Sequence, residues 1–187
     1  EGDRLVNVIK KSLSSGQCST SSTIIPNRGH GPLLQRNKTA ILGFGNRLWR
    51  DDGAGSILAE RLLLANPDSP VFDGGMVPEN FLEKVAATKP DSILLIDAGD
   101  FGGTPGEYRH FKGDELAFTG ISTHAGSPRM LAGYLEVRTG AKVSLLVIQP
   151  GDTGEGSELS PKVEATISKL FEALDGFVGA GPARDSE

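Results

Sequence analysis

The sequence predicts an α/β fold in which helices flank a mostly parallel sheet. Short apolar runs that end in Gly or Asp alternate with segments of helical apolar spacing, which is the pattern of consecutive strand and helix units. The uninterrupted run Ile93 to Ile96 is typical of a central strand that is covered on both faces. A length of 187 residues suits one domain with a substantial core.

The elements follow in a regular order from residue 39. The predicted strands are "TAILGF", "PVFDGG", "DSILLIDAGD", "YRHF" and "KVSLLVIQP". The predicted helices are "GSILAERLLLA", "PENFLEKVAA", "STHAGSPRMLAGYLEV" and "SPKVEATISKLFEALDGF". The segment "AGDFGGTPGE" before "YRHF" is too short and too rich in Gly and Pro for a crossover helix, so this strand is predicted to be an antiparallel edge strand.

Helix boundaries and inward faces also follow from the pattern. Pro78 is expected in the first turn of its helix, and Ser127 is expected to cap the next one, with Pro128 at the first helical position. The apolar spacing predicts two inward faces, Met130, Leu131, Tyr134 and Leu135 on this helix, and Val163, Ile167, Leu170, Phe171 and Leu174 on the last.

The chain divides into an arm, a body and a tail. Residues 1–38 form a basic extension with six Lys or Arg and two acids, and "DRLVNVIKKSL" within it has the spacing of a short amphipathic helix. Residues 12–37 are interpreted as a linker because "SLSSGQCSTSST" has too little apolar surface to order itself. The arm is either an appended extension or a segment that lies over an acidic cleft of the body. Residues 39–176 form the α/β domain, and residues 177–187 a tail.

Composition excludes several classes of protein. A formal net charge of -5 disfavours nucleic-acid binding, which needs a basic surface. No apolar run approaches the roughly 18 residues of a membrane span, and no secretory signal pattern is found at the start, so we expect a cytoplasmic protein without membrane insertion. The single Cys18 cannot form an intrachain disulfide, and its place in the linker makes it a poor nucleophile.

Acidic residues follow the predicted parallel strands. In open α/β sheets ligands bind beyond the carboxyl ends of the strands. Five aspartates and one histidine should therefore share one edge: Asp51, Asp52, Asp73, Asp97, Asp100 and His124. Such a set suits a borderline divalent metal such as nickel or zinc, and the same acids could instead serve as general acid or base for hydrolysis.

Structural roles compete with these functions. Asp51 is expected to cap the helix that follows it, where a carboxylate gains roughly 0.3 to 1 kcal/mol from the helix dipole. An aspartate at the end of a buried strand, such as Asp97, often only holds a turn, and a lone histidine is more often structural than a ligand. His110, on a predicted strand face, and His30, in the arm, carry little weight as site residues.

Common catalytic motifs are not found. "GFGNRL" begins like a dinucleotide-binding loop, but Leu48 stands where the third glycine should be. No P-loop, HExxH or GxSxG motif occurs. A domain that binds a small phosphorylated ligand therefore has only "GFGN" in its favour.

Five motifs in order resemble the [NiFe]-hydrogenase maturation endopeptidases. These are "LGFGNRLWRDDGAG", "FDGGMVPENF", "LLIDAGDFGGTPGE", "STHAGSP" and "VIQP", and the likeness as a whole runs from about Ala40 to Leu174. The segments "DDGAG" and "GGMVPEN" are most similar to the branch that processes hydrogenase 3 (formate hydrogenlyase) large subunits. The resemblance implies a three-layer α/β/α sandwich around a twisted five-stranded sheet. It also implies cleavage of a C-terminal extension from the precursor of the hydrogenase large subunit.

The resemblance assigns roles to the acids. It implies that Asp52, Asp97 and His124 bind nickel, that Asp52 and Asp97 are catalytic in an aspartic-type peptidase, and that Asp73 binds substrate and helps to choose the cleavage position. Nickel would arrive with the substrate and be absent from the free enzyme. On this view Asp51 caps the helix that follows it, while Asp52 points into the cleft.

Two features depart from the resemblance. Met76 follows "DGG" where related proteins often have a small hydroxyl residue, and the 38-residue arm is unusual. The alternative function is a nickel-binding assembly factor for hydrogenase that uses the same acids without cutting.

Overall fold

The computed structural model of the chain describes residues 38–112, 115 and 128–178. The strands are β1 (Thr39–Gly43), β2 (Val71–Asp73), β3 (Ser92–Ala98), β4 (Tyr108–Lys112) and β5 (Lys142–Ile148). The helices are α1 (Ala54–Ala65), α2 (Leu82–Ala87), α3 (Pro128–Thr139) and α4 (Pro161–Val178). Two 3-10 turns, Arg50–Gly53 and Pro78–Phe81, lead into α1 and α2.

The strands form one five-stranded sheet in the order β2-β1-β3-β5-β4. The first four strands in this order are parallel. Strand β4 runs antiparallel to β5, with Tyr108 opposite Ile148 and Lys112 opposite Ser144. The predicted antiparallel edge strand is therefore confirmed.

Helices cover both faces of the sheet and make a three-layer sandwich. Along β1, Ile41 packs toward α1 and α4, whereas the next residue, Leu42, packs toward α2 and α3. Strand β3 is buried over its whole length because both of its faces are covered. The inward face predicted for α4 is confirmed: Val163, Ile167, Leu170 and Leu174 are buried, and Phe171 packs partly buried against them.

Helix α1 packs unusually closely on the sheet. A Cβ on Gly55 would overlap the carbonyl oxygens of Phe44 and Ile96, and a Cβ on Gly43 would overlap the carbonyl oxygen of Gly55. These glycines therefore let the start of α1 lie directly on the carboxyl ends of β1 and β3. As a result, the residues just before α1 are brought over the end of β3.

Two expectations need correction. The segment that begins at Pro78 opens as a 3-10 turn and becomes α-helical only at Leu82. On α3, Leu131 and Leu135 are buried as predicted, but Met130 and Tyr134 are 74% and 44% exposed.

The described strands and helices run from Thr39 to Val178. Helix α4 continues to Val178, two residues past the predicted end of the body. The proposed cap Ser127 and the arm up to residue 37 lie outside the described residues. Among the helices that the structure describes, none combines the length and apolarity needed to cross a bilayer.

Candidate active site

The strand order places a crevice between β1 and β3. The chain leaves β1 for β2 on one side and then returns to β3 on the other. The first connection, through α1, covers one face, and the second, through α2, covers the opposite face. Loops that depart in opposite directions open a crevice at the carboxyl ends of the two strands, which is where α/β sheets bind ligands. Asp52 follows β1, and Asp97 lies near the end of β3.

Asp97 lies at the base of this crevice. Asp97 is only 2% exposed, and its Oδ1 accepts a hydrogen bond of 2.9 Å from the backbone N–H of Ala98. Its Oδ2 is buried and has no hydrogen-bond partner among the described residues. Burial raises the pKa of Asp97 well above its ordinary range, the N–H of Ala98 opposes this effect, and the negative charge of Asp52 raises the pKa further.

Asp52 lies on the wall of the crevice, close enough for its charge to act on Asp97. Its Oδ2 accepts a hydrogen bond of 3.2 Å from the backbone N–H of Asn46. Gly45, at a φ of +136°, lets the loop after β1 fold against the backbone of Asp52, because a Cβ there would overlap the carbonyl oxygen of Asp52. Asp52 also borders the open cleft described next.

An open cleft of about 480 Å³ lies beside Asp52. The described residues that line it are Asn46, Trp49, Asp52 and Thr153. The first three come from the segment after β1, and Thr153 comes from the segment after β5. A volume of this size is within the range of small-ligand and peptide-binding clefts.

Asp51 does not cap the following helix, so that prediction is wrong. No side chain caps either the 3-10 turn or α1. The Asp51 carboxylate accepts hydrogen bonds of 2.7 to 2.9 Å from the backbone N–H groups of Gly151, Asp152 and Ser160 and from the Ser160 hydroxyl. Fully buried, Asp51 holds the segment between β5 and α4 against the start of α1.

Asp73 sits in a polar network at the end of β2. Its Oδ2 accepts a hydrogen bond of 2.6 Å from Nη2 of Arg47, and its Oδ1 accepts bonds from the Ser56 hydroxyl and the Gly75 N–H. Arg47 also donates from Nε to Ser56 Oγ at 2.7 Å and pairs with Glu60 at 2.8 Å. Asp73 therefore faces the same edge as Asp52, with both carboxylate oxygens already engaged.

Of the other two predicted residues, Asp100 does not join the pair. Asp100 is exposed, and its Oδ1 accepts hydrogen bonds from the Gly102 N–H and from Gln149 Nε2, so it holds the turn after β3. His124 lies outside the described residues. Within the described ranges, no group of three His, Cys, Asp or Glu side chains is placed to hold a metal ion.

Some residues of the site were not predicted from the sequence. Asn46, Trp49 and Thr153 line the cleft, while Arg47 and Ser56 hold Asp73. Four of them belong to the segment between β1 and the first turns of α1, so the rule that loops after parallel strands line ligand sites could have identified them. Thr153 lies in the segment after β5, and its sequence contains no recognised motif that points to this residue.

The arrangement can stabilise a positive charge. Two carboxylates close to each other favour sharing one proton or binding one cation, and Asp97 Oδ2 is a buried acceptor to which no described residue donates. Burial favours the protonated form of Asp97, which is the form that could donate a proton, while Asp52 lines the open cleft. Both properties suit hydrolysis or metal coordination at this edge.

Comparisons with known proteins agree on one family. The family model described as "HycI: Hydrogenase maturation protease" matches residues 56–175. The Hydrogenase 3 maturation protease of Escherichia coli K12 is 32% identical over 143 residues, which are 75% of this chain and 91% of the relative.

Solved structures give the same result. The [NiFe] hydrogenase maturation protease HycI from Thermococcus kodakarensis KOD1 aligns with a TM-score of 0.71 at 30% identity, over 91% of this chain and 98% of the other. The endopeptidase HycI from Escherichia coli aligns with a TM-score of 0.65 at 31% identity, over 80% of this chain and 99% of the other. The five-stranded mixed sheet and its helices match these structures. The chain belongs to the hydrogenase maturation protease family.

Proposed function

We propose that this protein is an endopeptidase that removes the C-terminal extension of a nickel-loaded [NiFe]-hydrogenase large subunit precursor, of the hydrogenase 3 type. Membership in the family supports peptidase activity in hydrogenase maturation. The proposal is carried further by the buried Oδ2 of Asp97, which has no hydrogen-bond partner in the described part of the chain and lies close enough to Asp52 for the two charges to interact.

Nickel enters this proposal as part of the substrate. Asp52 and Asp97 supply oxygen ligands from neighbouring strand ends, and His124 is proposed as the nitrogen ligand. Carboxylate and imidazole groups together suit a borderline divalent metal. Capture of the metal would fix the scissile bond in the cleft beside Asp52. Positioning of this kind can lower a reaction barrier by roughly 7 to 11 kcal/mol at best.

The reaction is peptide hydrolysis of the aspartic type. Water adds to the scissile carbonyl carbon, the C–N bond breaks, and the amine leaves with a proton. Asp52, on the cleft wall, and Asp97, behind it, are the residues proposed to transfer these protons. Asp73 is proposed to help choose the cleavage position by holding the loop after β2, since its Oδ1 binds the Gly75 N–H at 3.0 Å.

The test is a processing assay with two forms of the same precursor. The purified protein is incubated with nickel-loaded and with nickel-free precursor large subunit, and the product mass is measured. We expect a shortened product only from the nickel-loaded form. Cutting of both forms would remove the role of nickel in recognition.

Variants separate a peptidase from an assembly factor. Asp97→Asn and His124→Ala should each lower processing at least 100-fold, while Asp100→Asn, an exposed aspartate on the same edge, should process normally. A protein that binds the nickel-loaded precursor but never shortens it would instead be a non-catalytic, nickel-binding assembly factor.

A further inference from the structure

Four large apolar side chains are exposed on the loops that follow β1 and β2. Leu48 and Trp49 are 66% and 49% exposed, and Met76 and Val77 are 61% and 48% exposed. We call these four residues the apolar rim. Large exposed apolar groups that lie together next to a cleft commonly mark a binding surface.

The two loops of the apolar rim are held side by side. The N–H of Gly74 donates to the carbonyl oxygen of Gly43 at 2.8 Å, and the N–H of Gly45 donates to that of Gly75 at 2.9 Å. The salt bridge between Arg47 and Asp73 connects the loops a third time, at 2.6 Å. Leu48 follows Arg47 and Met76 follows Gly75, so the apolar rim extends from two loops that are joined to each other.

The backbone under Leu48 and Trp49 is fixed. The N–H of Gly156 donates to the carbonyl oxygen of Leu48, and the N–H of Arg50 donates to the carbonyl oxygen of Gly156, both at 2.8 Å. Arg50 is held at a φ of +44°, which is a costly conformation for a residue with a Cβ. The apolar side chains are therefore held at the surface by a defined backbone.

We propose that the apolar rim binds an extended, apolar stretch of the substrate polypeptide, next to the bond that is cut. The inference rests on the proposed peptidase function and adds the chemistry of the segment that is recognised. Trp49 connects the two sites, because it belongs to the rim and lines the same cleft as Asp52. A chain that occupies the cleft beside Asp52 therefore contacts at least one residue of the rim, Trp49.

The size of the rim favours a peptide segment over a second copy of the protein. Stable protein interfaces bury about 800 Å² on each partner and involve about 20 to 30 residues a side. Four partly exposed side chains are too few for such an interface, whereas peptide segments are commonly held by a few apolar anchors.

The single tryptophan of the chain makes the rim directly observable. The full-length protease is labelled with 5-fluorotryptophan, so that Trp49 gives the only fluorine signal. Unlabelled, nickel-loaded precursor is then added to an Asp97→Asn form, in which the precursor stays uncut. We expect the signal of Trp49 to shift or broaden with the precursor, and to change much less with mature large subunit that lacks the extension.

Steady-state kinetics of processing provide a second measurement. Leu48→Ser and Met76→Ser should each raise KM about tenfold while kcat changes less than about twofold, because the rim contacts lie away from the reacting atoms. The matched control is Val137→Ser, which alters an apolar side chain on α3 that is 91% exposed, and it should leave both constants unchanged.

Several results would overturn the proposal. An unchanged Trp49 signal in an Asp97→Asn sample that still co-elutes with the precursor would show that substrate bypasses the rim. A dimer of the free protease that Leu48→Ser dissociates would assign the rim to a second copy. A change in the free Trp49 signal after deletion of residues 1–37 would assign it to the arm. Failure of wild type to cut any precursor is a separate result, since it contradicts the proposed function.

Discussion

Adjacent aspartates at the start of α1 have very different surroundings. Asp51 is fully buried and accepts four hydrogen bonds, whereas Asp52 lines the cleft and accepts a bond of 3.2 Å from Asn46. Asp51→Asn would turn an amide NH2 group toward N–H donors and remove the charge that strengthens these bonds. We expect a loss of about 2 to 4 kcal/mol in unfolding free energy. This corresponds to about 5 to 15 °C in a thermal melt.

Asp52→Asn is the matched comparison for this prediction. It should reduce the unfolding free energy by less than about 1 kcal/mol, because one long hydrogen bond is at stake. Processing should nevertheless be lost if Asp52 has the proposed role. Equal stability losses in the two variants would show that Asp51 has no special function in holding the segment between β5 and α4.

The buried carboxyl of Asp97 should make stability depend on pH. Its pKa is raised in the folded protein, so the unfolded chain loses this proton first as the pH rises above about 4. Stability contributed by the protonated form is then lost progressively up to the folded pKa. Asp97→Asn keeps an acceptor for the Ala98 N–H and cannot ionise.

Urea unfolding of both proteins from pH 5 to pH 8 checks this prediction. We expect the stability of the wild type to fall with pH relative to Asp97→Asn, and the variant to be at least as stable near neutral pH while it fails to process precursor. Parallel pH profiles would mean that Asp97 ionises as easily in the folded protein as in the unfolded chain.

Single residues could be located from the sequence only where a general rule places them. The positions of Asp52 and Asp97 follow from the rule that loops after parallel strands share one edge. The contacts of Asp51 do not follow from it, because its partners Gly151 and Ser160 are about 100 residues away. The local sequence predicts that Asp51 caps a helix. In the folded chain its carboxylate instead accepts hydrogen bonds from the segment before α4.

Close packing of α1 on the sheet leads to a prediction about elements. Gly55→Ala would place a Cβ against the carbonyl oxygens of Phe44 and Ile96, which belong to fixed backbone. We expect α1 to be displaced and stability to fall by about 3 kcal/mol or more. Gly133→Ala, within α3, is the control, because a Cβ there meets nothing within 4 Å. It should stabilise by about 0.5 to 1 kcal/mol. Chemical denaturation measures both, and similar effects would contradict the close contact.

Helix α3 shows where periodicity reaches its limit. Its sequence offers two overlapping stripes of apolar residues, one through Met130 and Tyr134 and one through Leu131 and Leu135. Packing against the sheet buries the stripe through Leu131 and Leu135, together with Ala132. Tyr134 turns outward and its hydroxyl donates to Glu83 on α2, which Arg138 also contacts at 3.1 Å. Helical spacing alone cannot show this long-range choice.

At the scale of the whole molecule, sequence reasoning succeeded where the pattern is strong. The buried run of β3, the Gly- and Pro-rich segment before β4 and the amphipathic α4 predict the sheet, its antiparallel edge and its covering layers. The cleft and the network around Asp73 depend on how separate loops meet, and no local pattern contains that information.

The body of the protein should fold without its arm. In the part of the chain that the structure describes, both core clusters lie between Ala40 and Val178, and the N–H of Lys38 is bound to Asp91 at 2.7 Å. We therefore expect a fragment of residues 38–178 to unfold within about 2 °C of the full chain. If the basic arm instead binds the acidic body, the full chain should melt higher, and this difference should shrink in 0.5 M NaCl because salt screens the attraction between opposite charges. Thermal melts of both proteins at low and high salt therefore decide whether the arm is an appended extension or part of the folded body.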